Sequence, residues 1–262
     1  MSATIPGRTP LPLDTIRAAP KVLLHDHLDG GLRPATIVDL ARDHGYRDLP
    51  TEDPYDLAAW FRRGADRKRL ELYLETFAHT TGVMQHRDAI ARVAAECAED
   101  LAADGVVYAE VRCAPELSTR AGLTLDEAID AVLEGFREGE ARAAAAGRPI
   151  VVRFLVTAMR DADRSLAVAE AAVRWRDAGV VGFDIAGPEA GYPPVRHRAA
   201  FDLVRREGLR VTVHAGEADG LASIGSALVD GGAERLGHGF PIADDIATAD
   251  DRAPPRLGRL AA

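Results

Sequence analysis

Six short apolar runs recur along the chain, and most are separated by a stretch with helical spacing. The runs are residues 22–27 (VLLHDH), 105–113 (GVVYAEVRC), 150–159 (IVVRFLVTAM), 180–185 (VVGFDI), 209–214 (LRVTVH) and 235–238 (RLGH). Their length and content of Val, Ile and Leu are those of buried strands; the last is weaker and is placed by its neighbours. Between them, residues 89–102, 125–145, 163–177, 195–207 and 224–230 carry apolar positions at helical spacing. Thr124 is placed to cap the second of these, with Glu127 in its first turn. Strand-then-helix order predicts an α/β fold with a mostly parallel sheet, open or closed.

Residues 31–81 interrupt this rhythm. Residues 33–45 read as a short helix stopped by Gly45, residues 46–57 are turn-rich, and residues 67–81 are helical again. An excursion of this kind after the first strand reads as a lid or insertion on one face of a barrel, within a single domain.

Composition changes the picture little. Hydrophobic residues make up 47% and charged residues 28%, enough for a substantial core in a chain of 262 residues. A formal net charge of -9 disfavours non-specific attraction to polymeric nucleic acid or anionic membrane and is neutral toward a small uncharged substrate. The only cysteines, Cys97 and Cys113, exclude a disulfide framework and a cysteine-rich metal site. The first twenty residues do not read as a secretory leader, and no apolar run reaches the roughly 20 residues of a spanning helix, so the cytoplasm is the expected compartment.

Chemistry-bearing residues gather at the predicted C-terminal strand ends, the functional face of a barrel. In His25-Asp26-His27-Leu28-Asp29-Gly30, two-residue spacing on a strand puts both imidazoles on one face, where they can approach one metal. The same pattern alone also fits ordinary hydrogen-bonding histidines. His214-Ala215-Gly216-Glu217 offers a further ligand and, one short turn later, a carboxyl for proton transfer, or else a helix-capping acid. His238, between Gly237 and Gly239, can orient a water or make a structural contact. Asp184 reads equally as loop support or chemistry, and Glu110 as buried support or a site group. His44, His79, His86 and His197 are read as surface or local hydrogen-bonding residues, and Cys97 as core. Neither a phosphate-binding loop nor a dinucleotide fingerprint is present.

At HDHLDG (25–30), DIAGPE (184–189), VHAGE (213–217) and LGHG (236–239), the ordered set resembles the adenosine deaminase family, over residues 11–262. The resemblance implies a TIM-like metal-dependent hydrolase barrel and one Zn2+ held by His25, His27 and His214. It implies Glu217 as the proton-transfer residue beside a purine ring and His238 as the residue orienting the attacking water. Asp29 matches a contact to a ribose hydroxyl, and Gly187 a backbone contact to the base. The implied reaction is hydrolytic deamination of adenosine and 2'-deoxyadenosine to inosine and 2'-deoxyinosine, with release of ammonia. The base-deaminase motifs HxE and PCxxC are absent, so a free purine nucleoside is the expected partner, not a polynucleotide.

Complete relatives carry two further β/α units with a carboxylate zinc ligand and an adjacent acid. Here six of eight barrel strands precede residues 257–262, which read as the start of another helix, and Asp244, Asp245, Asp250 and Asp251 do not stand in that late context. The expectation is therefore one incomplete barrel domain over residues 1–262 with reduced turnover on its own. A partial sequence, a natural fragment, a chain complemented by a second polypeptide and a degenerate homologue all stay open. So do a related aminopurine deaminase and a non-catalytic metal- or nucleoside-binding remnant. Oligomeric state is not legible.

Overall fold

The computed structural model describes residues 11–247 and 256–260. Six strands, β1 (Lys21–His27), β2 (Val106–Cys113), β3 (Val151–Met159), β4 (Val180–Ala186), β5 (Arg210–Ala215) and β6 (Arg235–His238), form one sheet in sequence order. Every neighbouring pair is parallel. Each predicted strand is present to within a residue at either end. The sheet curls: the His25 and His238 rings, on its first and last strands, stand 4.8 Å apart. Lower down, Arg235 of β6 donates to Glu110 of β2 at 2.5 Å, and Tyr108 donates to the other Glu110 oxygen at 3.0 Å. Glu110 is thus a buried support, not a group of the strand-end cluster. The chain has the TIM-like barrel architecture that its motifs implied, with six strands among the described residues.

The helices are α1 (Leu13–Ala18), α2 (Pro34–His44), α3 (Pro54–Ala65), α4 (Leu70–Leu74), α5 (Phe77–Val83), α6 (Arg87–Ala103), α7 (Leu125–Ala145), α8 (Ser165–Arg174), α9 (Arg198–Arg206) and α10 (Leu221–Val229). Helix α7 opens with the predicted cap, completed as a capping box between Thr124 and Glu127. It packs so closely on α6 that a Cβ at Gly135 would stand 2.2 Å from the Ala91 carbonyl oxygen. Gly135 therefore lets the two backbones touch.

Three local expectations are corrected. The turn-rich stretch 46–57 contains the start of α3, because Asp53 accepts from the amides of Tyr55 and Asp56 at 2.9 Å and Pro54 occupies the first helical turn. An Asp-Pro pair that reads as a turn is here an N-terminal cap. Residues 67–81 do not form one helix; the chain breaks between α4 and α5, where the Thr76 hydroxyl donates to the Tyr73 carbonyl at 2.7 Å. Residues 257–260, the described part of the stretch expected to start a helix, are not helical. Residues 256–257 form β8 (Arg256–Leu257), antiparallel to β7 (Ile246–Ala247), and Asp245 accepts from the Leu260 amide at 2.6 Å. Asp250, Asp251 and residues 261–262 lie outside the described residues. No described helix is long and apolar enough to cross a membrane.

Candidate functional site

The strand ends converge. His27 Nε2 lies 3.3 Å from His25 Nε2 and 3.0 Å from His214 Nε2. A second grouping overlaps it: His25, His214 and His238 bring ring nitrogens within 4.8 Å of one another. A register shift between Leu23 and Asp26 bends β1 just where its histidines leave the sheet. The ring of His25 then fits only because residue 237 is glycine; a Cβ there would stand 2.7 Å from His25 Cε1. His238 takes a left-handed backbone (φ 73), a conformation rare for a non-glycine residue and one that aims its ring back toward the cluster.

Burial keeps the imidazoles of His25, His27 and His238 neutral. It depresses the pKa of His25 to about 3 and of His27 to about 2, and that of His238 to about 4, with neighbouring cationic groups adding to the effect. Beneath them, Asp184 is fully buried. Burial alone would raise its pKa, but His214 and Arg112 outweigh that and hold the carboxyl well below the usual range. Arg112 donates to Asp184 Oδ2 at 2.5 Å and to the Leu24 carbonyl at 2.8 Å. His214 Nδ1 faces the same Oδ2 at 2.9 Å, off the line of a good hydrogen bond, so the contact is chiefly electrostatic. A carboxylate on that side favours the Nδ1–H tautomer and leaves the Nε2 lone pair aimed at the cluster.

The donor set fits a divalent transition metal. Neutral imidazole nitrogens cannot all satisfy one another edge to edge, and a cation among them resolves the conflict. Tetrahedral coordination at ~2.0–2.1 Å separates neighbouring nitrogens by ~3.3 Å, close to the two shorter spacings here. His25, His27 and His214 are the better-matched set, with His238 on their flank.

A cavity of about 550 Å³ opens over the cluster, lined by His25, His27, Asp29, Gly187, His214, Glu217 and His238. The strand-end residues Cys113, Thr157, Met159 and Ala186 supply more of its wall. Asp29 is buried with Oδ1 unpartnered, and burial lifts its pKa to about 7. Thr157 Oγ1 is likewise unpartnered. Both residues border the cavity, so these unpartnered atoms are candidates for ligand contact. Glu217 Oε2 stands 3.4 Å from His238 Nε2, and burial raises the Glu217 pKa above the ordinary carboxylate value. Asp244 and Asp245 do not line this cavity; they lie in a helical turn over Phe240–Asp245.

The sequence profile of the adenosine deaminase family matches residues 20–260. The chain belongs to this family. It is 64% identical over 255 residues to adenosine deaminase 1 of Streptomyces coelicolor, an alignment covering 97% of this chain and 64% of that protein. Among solved structures, a zinc-bound amidohydrolase from Burkholderia ambifaria superposes with a TM-score of 0.76 at 28% identity, over 92% of this chain and 65% of that one. An adenine deaminase from Arthrobacter aurescens superposes with a TM-score of 0.74 at 26% identity, over 86% and 66%. The chain thus spans 64–66% of the length of these three proteins.

Three residues that support the strand-end cluster have no role legible in the sequence. Arg112 had one visible sign, a cation inside a strand predicted to be buried, where it is costly without an anion. Arg160, also fully buried, donates to the His214 carbonyl at 2.9 Å and to that of Tyr192 at 2.9 Å. Glu189 stands within the DIAGPE motif, yet its partners lie in a different loop and are invisible to sequence spacing. His197 proved buried and locally bonded, accepting from or donating to Ser165 Oγ at 2.9 Å and bonding the Arg160 carbonyl at 3.0 Å.

Proposed function

We propose that this site carries out hydrolytic deamination of adenosine and 2'-deoxyadenosine, with zinc as the metal. The observation that carries the reading is the convergence of His25, His27, His214, Glu217 and His238 at one end of one cavity. Identity of 64% to an adenosine deaminase supports the substrate class, and the zinc-bound structural relative supports the ion. His25, His27 and His214 would hold the zinc. When bound, it would supply Lewis acidity to the attacking water.

The protein's own groups divide the remaining work. Glu217, whose pKa burial raises, donates a proton to a purine ring nitrogen as the water oxygen bonds to the amino-bearing carbon. His238, beside Glu217, orients that water and takes up its proton. The carbon–nitrogen bond to the amino group then breaks as His238 passes its proton to that nitrogen, which leaves as ammonia, while the new hydroxyl gives its proton back to Glu217 and becomes the carbonyl. Asp29 accepts from a ribose hydroxyl through its unpartnered Oδ1, and the Gly187 backbone meets the base. Residues 31–81 act as a lid, since Leu70, Tyr73, Leu74 and Phe77 form the cavity wall opposite the strands. Cys97 and Cys113 are free thiols, which favours a reducing cytoplasm.

The test is zinc content measured together with ammonia release from adenosine, 2'-deoxyadenosine and adenine. The expected outcome is zinc retention that needs His214, and nucleoside-dependent ammonia release that disappears with chelator and in Glu217→Gln. Preference for adenine, the substrate named for the A. aurescens relative, would move the reading to a base deaminase. Zinc retention with no ammonia from any of the three would leave a metal-binding remnant.

A further inference from the structure

Glu189 lies in the loop after β4 and is 3% exposed, yet among the described residues it forms no ion pair. Its carboxylate is instead surrounded by donors from the β5–α10 loop. Oε1 accepts from the Gly216 amide at 2.6 Å and the Ser223 hydroxyl at 2.5 Å. Oε2 accepts from the amides of Glu217 at 2.9 Å, Ala218 at 2.6 Å and Asp219 at 3.0 Å. Four consecutive backbone amides therefore point at one side chain.

The local conformation explains how. Gly216 is left-handed (φ 72), and a run of amides bent around such a residue forms a concave nest that binds an anion. A side chain cannot replace glycine there, because a Cβ would stand 2.8 Å from Pro241 Cδ and 3.0 Å from Ile224 Cδ1. Helix α10 follows at once, with no side-chain cap from Gly220, so Ser223 and the nest are how its start is tied down. Burial alone would push the Glu189 carboxyl up; the hydrogen bonds outweigh it and hold it in the ionised form. Glu217 sits in the middle of this nest, with its own amide and those on both sides of it committed to Glu189.

We propose that Glu189 is a positioning residue that locks the backbone of residues 216–219 and so holds the Glu217 carboxyl in the cavity beside His238. The catalytic consequence rests on the reading of Glu217 as the proton-transfer group; the backbone lock does not. Substituting glutamine keeps the shape but removes the charge and turns one end into a donor facing donors.

The test compares wild type, Glu189→Gln, Ser223→Ala and Glu217→Gln as full chains, by backbone amide exchange and by adenosine kinetics. In Glu189→Gln the amides of residues 216–219 are expected to exchange at least about tenfold faster, while those of β1–β5 keep their rates. The kcat is expected to fall at least about tenfold with KM within about threefold, and the double variant with Glu217→Gln to be no slower than Glu217→Gln alone. Ser223→Ala, which removes one donor of five, shifts the same readouts in the same direction by less, and carries the test if Glu189→Gln does not fold. Unchanged exchange at residues 216–219, or exchange rising equally throughout the strands, would overturn the lock. Full additivity with Glu217→Gln would overturn its link to proton transfer. If the wild type releases no ammonia, the deaminase reading fails, and the exchange pattern still decides the role of Glu189.

Discussion

The cavity has two unlike walls. On the strand side candidate groups are braced from behind: His214 by Asp184 and Arg160, and the Glu217 backbone by Glu189, while His25 fits into the space that Gly237 leaves open. On the helix side the wall is made by α4 and α5, helices of 5 and 7 residues that present Leu70, Tyr73, Leu74 and Phe77. These side chains offer apolar area and few directed bonds. On the proposed reading, the difference gives the walls different expected parts: the strand wall would set rate and hold the metal, and the helix wall would set affinity.

The sharpest break of that comparison is Glu217→Gln. It keeps the shape of the cavity and removes the proton, so kcat should fall by about 10^3-fold with little change in KM. Steady-state kinetics with adenosine would measure it, and a variant within tenfold of wild type would remove Glu217 from the chemistry. Asp184→Asn comes next. Arg112 is left buried without its anion, which should cost about 3–5 kcal/mol of stability in denaturant unfolding. The same change loosens the tautomer of His214 and should weaken zinc affinity by about 10–100-fold, read by competition with a chelator. On the opposite wall, Phe77→Ala should raise KM by about tenfold and leave kcat within a factor of about two, because it removes contact area shared by ground and transition states. A loss of kcat as large as that of Glu217→Gln would erase the distinction between the walls.

The two walls also differed in how far they could be read from sequence. The strand wall was largely legible, because a buried parallel strand is an apolar run and its C-terminal end is where a chemistry-bearing residue stands out, as at His25, His214 and His238. Its supports were not. Asp184 could be seen but not assigned, and Arg112 and Glu189 act through partners 72 and 28 residues away that only the fold brings near. The helix wall was harder. Asp53-Pro54 signals a turn and a helix cap equally well, and only the amides of Tyr55 and Asp56 decide between them. The break at Thr76 depends on a hydroxyl turning back to the Tyr73 carbonyl, an event that helical periodicity does not register.

The smallest effect concerns pH and reaches the strand wall from behind. His197 bonds the Arg160 carbonyl, and Arg160 in turn holds the end of β5. Burial is the main cause lowering the His197 pKa from 6.5, with the Arg160 carbonyl bond opposing it and nearby arginines adding to it. The unfolded chain therefore takes up a proton at this residue near pH 6.5 while the folded chain still resists. Below that pH the unfolded state binds more protons, so the contribution is complete above pH 6.5 and is lost as pH falls toward the depressed folded value. His25, His27 and His238 are shifted the same way and add to the same acid loss. Comparison with His197→Gln isolates the one residue: urea midpoints measured from neutral to mildly acidic pH should fall less steeply in the variant than in wild type. Parallel midpoint curves would mean that His197 titrates alike in both states, and that the back of the strand wall carries no buried neutral histidine.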